Sequence, residues 1–398
     1  MRGKRALPAF VFLAAASAGC HGPPIQEVGG TGTGGTTGTG GAGRGGGSGA
    51  GGAGPGGAGC AAQMQPVMFH STTGAATSIS GAPIPSQATS NRIYWVESGT
   101  PNYTIHYSPG AAPASDNLHP LAIGESMADF ISVDVSDALL AATWDVYGNI
   151  AVYGPDKTST QMGATLQLAS SSAVAVDGTT VFVAYFVRSD TTQSGIYTWA
   201  PPAAPALFET YTDLGGDFEY GKLIRATPNW LLLSDLTNVW IADRLSKKAA
   251  QPLFQNPASN PVLDVRPARP RSMQQGVLVD LQDASFAGSG RDYYVDLTTP
   301  IAAPVDLASA TNALADASAC GAAAHYHGAG VLYQRTYIYE GQSGLFAVDV
   351  TPAGAVSNLV RLTTLPLGHP EVTGAGDLFA IRSVNAGDSW DYYRVGNL

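Results

Sequence analysis

Seven short strands rich in aromatic and aliphatic residues recur along this chain at nearly even spacing, and that spacing limits the fold more than any other feature. They are YTIHYS from Tyr103, NIAVYG from Asn149, GIYTWA from Gly195, NVWIAD from Asn238, DYYVDL from Asp292, GLFAVD from Gly344 and DYYRVG from Asp391. Their starts lie 46, 46, 43, 54, 52 and 47 residues apart. A more apolar strand precedes each one: RIYWVE from Arg92, LLAATWD from Leu139, TVFVAYF from Thr180, WLLLSD from Trp230, GVLVDL from Gly276, GVLYQR from Gly330 and DLFAIR from Asp377. Gly, Asp, Ser, Asn and Thr dominate the segments between the two, so each pair reads as an antiparallel hairpin.

Ahead of the pair stands an inner strand, such as FISVDV at Phe130, AVAVD at Ala173, KLIRAT at Lys222 or VLDVR at Val262. Behind it comes a looser outer strand, such as ATLQLA at Ala164, PALFE at Pro205 or SNLVRLT at Ser357. Four strands in a unit of about 40 to 50 residues, repeated radially, make a β-propeller. Runs of helical period are nearly absent, which excludes a helical solenoid. A sandwich does not keep one period through the whole chain, and a parallel β-helix needs shorter repeats. The expected fold is therefore all-β, a propeller of seven blades of four antiparallel strands.

The chain stops on a third strand, DYYRV, and lacks the fourth. QPVMFH, Gln65 to His70, lies before the first complete repeat and is the expected donor, because an unpaired sheet edge invites aggregation. This pairing predicts an N-terminal segment that approaches from the face opposite the channel-mouth loops.

Residues 1–19 carry Arg2, Lys4 and Arg5, then the apolar ALPAFVFLAAA, then small residues before Cys20, the three parts of a secretory signal peptide. The apolar run is too short to span a bilayer, which takes roughly twenty residues. From Gly29 to Gly59, 19 of 31 residues are Gly, without a strict Gly-X-Y period. Such a segment buries too little apolar surface to fold and reads as a tether of about 30 Å root-mean-square reach. The expected organisation is signal peptide 1–19, tether 20–60 and propeller 61–398.

Only 13% of residues are charged. The formal charge of −10 becomes −13 once the three basic residues of the signal are removed, which opposes nucleic acid and anionic lipid, since phosphate contacts need clustered Lys and Arg. In an exported protein Cys60 and Cys320 are expected to form a disulfide.

The stretch SAGC, Ser17 to Cys20, resembles the lipobox of bacterial lipoproteins, which implies lipidation at Cys20 and attachment to the membrane through the lipid alone. The strand pairs RIYWVE with YTIHYS, and TVFVAYF with GIYTWAP, resemble the degenerate blades of secreted bacterial propeller lipoproteins, distantly similar to TolB-like and YWTD-like propellers. The resemblance implies the fold for residues 65 to 398 and carries no activity with it. His21 after Cys20 is similar to the pattern of lipoproteins sent on to the outer membrane.

On a propeller, the loops between second and third strands share one face with the channel mouth and are the expected place for a binding site. Trp144, Tyr147, Tyr337, Tyr339 and Trp390 are assigned to those loops, beside Asp145, Asp190, Arg291 and Glu340, as residues for stacking on a sugar ring or holding a peptide. The inner strands add Asp134, Asp177, Arg225, Asp264, Arg266, His325, His327 and Glu371. His325 and His327, two apart, would face one side of a strand, with His369 or Glu371 as further offers to a metal. No motif for a cofactor, a metal or a nucleophile elbow occurs, so neither cofactor nor metal is expected.

Two main readings of function follow, beside a third in which the chain is a purely structural envelope component partnered by another copy of itself. The first is a non-enzymatic, monomeric, lipid-anchored scaffold at the cell envelope, binding a protein or glycan at the channel mouth. The alternative is a polysaccharide hydrolase or lyase using Asp134, Asp177, His325, His327 and Glu371 as acid and base.

Overall fold

The computed structural model describes residues 60–71, 84–98, 103–111, 117–120, 130–144, 149–154, 159–162, 169–187, 191–214, 223–234, 237–246, 249–255, 260–273, 275–282, 290–298, 303–384 and 389–398. Its strands form seven four-stranded sheets, each antiparallel and each built from strands in sequence order except the last. Sheets 1 to 6 span residues 84–120, 130–162, 169–210, 223–254, 262–306 and 326–363, and sheet 7 spans 368–397 with one strand from the N-terminus. The first strands touch in cyclic order, sheet 1 against sheet 2 and onward until sheet 7 meets sheet 1 again. The molecule is a β-propeller, as the period implies.

Each sheet is covered on both faces, which explains why the second strands read as continuous apolar runs. In Thr180–Val187 every residue from Val181 to Tyr185 is buried. Val181, Val183 and Tyr185 pack against Ile150 and Val152 of sheet 2, while Phe182 and Ala184 face Ile224 and Leu231 of sheet 4. Alternation along one strand thus serves two neighbours.

The ring closes as the unpaired C-terminus demands. The strand Val67–Ser71 pairs antiparallel with Ser389–Asn397, Val67 opposite Arg394 and Ser71 opposite Asp391. Phe69 meets the rings of Trp95 in sheet 1 and of Phe379 and Tyr392 in sheet 7 edge-on, at 6.0, 5.7 and 6.5 Å.

The direction of approach differs from expectation. Cys60 and Cys320 form a disulfide with Cα atoms 5.1 Å apart. Cys320 lies between sheets 5 and 6, and its neighbours Ala323 and His325 accept hydrogen bonds from Ser343 and Gln342 of a second-to-third-strand loop. Residue 60 is therefore fixed on the channel-mouth side. From there Gln63 and Met64 donate to the carbonyls of Arg361 and Leu362 along the outer edge of sheet 6, and the chain crosses the side of the ring to enter sheet 7.

Sheet 5 also departs from the repeat. Its outer strand is only Val305–Asp306, and a helix, Leu307–Asp316, follows at once. Asp306 caps it by accepting from the Ser309 amide, and Leu307, Ala308, Thr311 and Ala315 form its buried stripe. This insertion shifts the reading of sheet 6. GVLYQR belongs to the first strand, Tyr326–Tyr333, and the second is Thr336–Gly341. The outer strand of sheet 2 is Ser159–Met162, whereas most of ATLQLA falls outside the described residues.

Candidate functional site

The two ends of the channel differ in chemistry. At the end bearing the first-to-second-strand turns, the segment Arg269-Pro270-Arg271 of sheet 5 crosses the lumen. Arg271 reaches Asp134 of sheet 2, three sheets away, with both guanidinium nitrogens on its carboxylate. Arg269 pairs with Glu371 of sheet 7 at 2.9 Å. Asp134 also accepts from the Val176 amide at 2.9 Å. Burial pushes its carboxyl up, but Arg271, with Arg225 and the Val176 amide, together outweigh burial and hold it below the usual range.

Turn-to-turn bonds knit the same end together. Ser90 binds Asp137, Ser136 donates to the Gly178 carbonyl at 2.7 Å, and Arg244 contacts Asp177 at 2.5 Å while lying over the Phe182 ring. Gly374 and Ala375 donate to the carbonyls of Thr89 and Ser90. Its turns are thus tied to one another around the ring.

Between sheets 5 and 6 lies a ladder of three carboxylates, since Asp280 stands opposite Asp264 on one side and Asp292 on the other. Like charges in register repel. Arg266 bridges them, 2.9 Å from Asp292 and 3.5 Å from Asp280, and Arg225 holds Asp264 at 2.9 Å. Burial and the neighbouring charge of Asp292 raise the Asp280 carboxyl well above its ordinary range, so one proton relieves the excess negative charge. Asp292 accepts from Tyr337 Oη at 2.7 Å and the Gly330 amide at 2.6 Å. The ladder cements two sheets.

The described residues of the loop end are arranged differently. The Glu340 carboxyl, on the second strand of sheet 6, projects between Gly328 of the first strand and Gly368 of sheet 7. A Cβ on either glycine would come within 2.5 Å of its Oε2. Among the described residues it has no ion pair with Arg or Lys, only His327 Nε2 at 4.0 Å. Enclosure by protein pushes it up to about 7. Gln342 Nε2 lies 3.4 Å from His327 Nδ1.

Next to Gly368 stands His369, whose φ of +48° is left-handed, in the β-bulge between Gly368 and Glu371. Burial, with the charge of Arg266 adding to it, lowers the imidazole to about 4. Its ring meets half-buried Trp390 edge-on at 6.4 Å, and Trp390 packs between sheets 7 and 1.

Comparison with known proteins adds no family. No family model and no curated protein matches the chain. Similar solved structures include YCF48 bound to D1 peptide, at 9% identity and TM-score 0.47, covering 83% of this chain and 96% of that one. The WD40 domain of Toxoplasma gondii coronin gives 9% and 0.44, over 79% and 80% of the two chains. The extracellular domain of a putative one-component system from B. thetaiotaomicron gives 11% and 0.46, over 83% and 39%. The likeness is one of fold.

Several residues singled out in the sequence lie elsewhere than expected. Tyr337 and Tyr339 are fully buried, stacked on each other at 5.4 Å between sheets 5 and 6, and are core rather than contact residues. They sit within the second strand of sheet 6, not in the loop expected there. His325 precedes the strand that contains His327. Its Nε2 turns to Asp316 of the helix at 2.7 Å, so the two histidines do not share a face. Asp134, Asp177 and Glu371 each hold an arginine and supply no free acid and base pair. Among the described residues no three His, Cys, Asp or Glu side chains converge on a metal position.

Trp144 ends a strand whose side chain there is outside the described residues, as are Tyr147 and Cys20 altogether. Of the nominated residues, the structure sets His327 beside Glu340 where sheets 6 and 7 meet, and His369 against Trp390. No sequence motif marks Gln342 or the channel-crossing Arg269 and Arg271. Arg271 and Asp134 are 137 positions apart, beyond any local pattern.

Proposed function

We propose that this protein is an exported, lipid-anchored envelope scaffold that binds a protein or glycan with its channel-mouth face. One observation carries the reading: the polar groups of the two channel ends are used in opposite ways. At the turn end each nominated carboxylate is bound to an arginine. At the loop end Glu340 and His327 keep 27% and 37% of their side-chain surface exposed, and Trp390, at the start of the third strand of sheet 7, is half-buried. Rigid scaffolds place recognition on such loop faces, and a half-buried aromatic among polar groups suits a contact that is neither purely apolar nor charged. The signal and tether at the N-terminus support export and attachment.

The test compares two substitutions on opposite faces. In binding of the full chain to isolated envelope proteins and glycans, Trp390→Ala is expected to abolish the interaction and Asp177→Ala to leave it intact. The reverse pattern would exclude the channel mouth.

A further inference from the structure

Resting on that reading, we infer that the niche around Glu340, where the first strands of sheets 6 and 7 meet at the channel mouth, docks a lysine or arginine side chain of a protein partner.

The first ground is a pairing that the molecule keeps elsewhere. Every buried carboxylate among the described residues lies within 3.5 Å of an arginine nitrogen, Asp296, Asp377 and Asp391 as much as Asp134 and Glu371. Glu340 is lodged between two sheets, yet no guanidinium or ammonium meets it among the described residues. A carboxylate taken partly out of water without a cation keeps its desolvation cost unmet. A partner supplies the cation that the chain omits.

The second ground is the room left for the head group. A Cβ on Gly328 or on Gly368, in the first strands of two different sheets, would lie 2.5 Å from Oε2. A glutamate turned to solvent would not need that clearance. On the other side, Oε1 lies 4.0 Å from His327 Nε2. Gln342 holds its Nε2 3.4 Å from His327 Nδ1, which leaves its carbonyl oxygen as a second acceptor.

A carboxylate with an amide oxygen nearby suits a cation on a slender stem, and lysine and arginine carry theirs on a long alkyl chain. An amino sugar bears its nitrogen directly on the ring, too broad for a niche framed by two first strands. A metal ion would need a third ligand, and no third His, Cys, Asp or Glu converges there among the described residues. The formal charge of −10 draws basic partners toward the chain. Enclosure pushes the free carboxyl up to about 7, and a cation holds it ionised. Docking therefore releases a proton and tightens as pH rises from about 6 to about 8. The groups that face the carboxyl are His327, the uncharged Gln342 and the two glycines.

The test measures calorimetric binding of tetralysine and tetraarginine to the full chain across that pH range, with tetraglucosamine as the amino-sugar comparator. At least one peptide is expected to bind, and Glu340→Gln to weaken it about tenfold and abolish the rise with pH, while His327→Gln keeps the rise. Glu340→Gln preserves shape, and a melting curve verifies its fold. Peptide binding that is absent, or equal in the wild type and Glu340→Gln, overturns the inference, as does binding of tetraglucosamine alone or a pH rise lost only in His327→Gln. If the niche falls in this way while an envelope component binds and is lost in Trp390→Ala, the scaffold reading stands. If peptides dock through Glu340 while every envelope interaction survives Trp390→Ala, the niche stands and the scaffold reading falls.

Discussion

Glu340 and His327 stand 4.0 Å apart across two strands of sheet 6, with the carboxyl lodged between Gly328 and Gly368 and without an arginine or lysine partner among the described residues. The groups that face it are His327 and the two glycines, with Gln342 beyond the imidazole. A carboxyl so placed takes up a proton more readily in the folded chain than in the unfolded one.

This gives a pH signature. The native state retains the Glu340 proton from about 4.5, the ordinary value, up to about 7. In that window the folded state binds more protons than the unfolded one, so Glu340's contribution to stability falls as pH rises and is flat above it. Screening through its open side leaves roughly 1 to 2 kcal/mol. Glu340→Gln is expected to remove this slope in denaturation at pH 5 and pH 8.

His369 contributes the opposite slope. Its imidazole stays neutral down to about 4, whereas the unfolded residue gains a proton near 6.5. Stability is therefore lost as pH falls from about 6.5 to about 4. The left-handed backbone adds a second readout: His369→Gly should be more stable than His369→Ala by about 1 kcal/mol. Equal stability of the two would contradict the conformation.

The arginine crossing the lumen predicts an asymmetric pair of costs. Arg271→Ala strands Asp134, fully buried, and should destabilise by about 3 to 5 kcal/mol. The double variant Arg271→Met with Asp134→Leu should recover a large part of that loss. The depressed Asp134 carboxyl adds stability above its ordinary value that is lost as pH falls. Chemical denaturation of the single and double variants reads the difference.

Ring closure depends on few residues. Deleting residues 61 to 70 should lower Tm sharply, and Phe69→Ala, which removes the ring shared by Trp95, Phe379 and Tyr392, should cost about 2 to 3 kcal/mol. The disulfide spans 260 positions and ties this strand's approach to sheet 6. Reduction should cost about 2 to 5 kcal/mol, and the Cys60→Ala, Cys320→Ala double variant should melt at the reduced temperature whether or not reductant is present.

Strand period was legible because each unit repeats the same two-sided burial, as in Val181 to Tyr185. The closing strand was legible from a missing partner. The direction of its approach was not, since it depends on Cys60 meeting Cys320 and on Met64 pairing with Leu362 far away in sequence. In sheet 6 the apolar run from Gly330 lies in the first strand, Tyr326–Tyr333, so Tyr337 and Tyr339 belong to the second strand rather than to a loop. His327, Glu340, His369 and Trp390 were visible as residue types. The meeting of Glu340 with His327 rests on two glycines from different sheets, and that of His369 with Trp390 on a bulge at His369, which no local pattern announces.

The most direct test of the channel mouth as the working face is hydrogen exchange on the full chain, with and without the partner or glycan that it binds. Protection is predicted at 326–328, 340–344, 368–370 and 389–391. Protection confined to the turn end, at 136–139, 177–180, 227–230 and 243–246, would contradict the account.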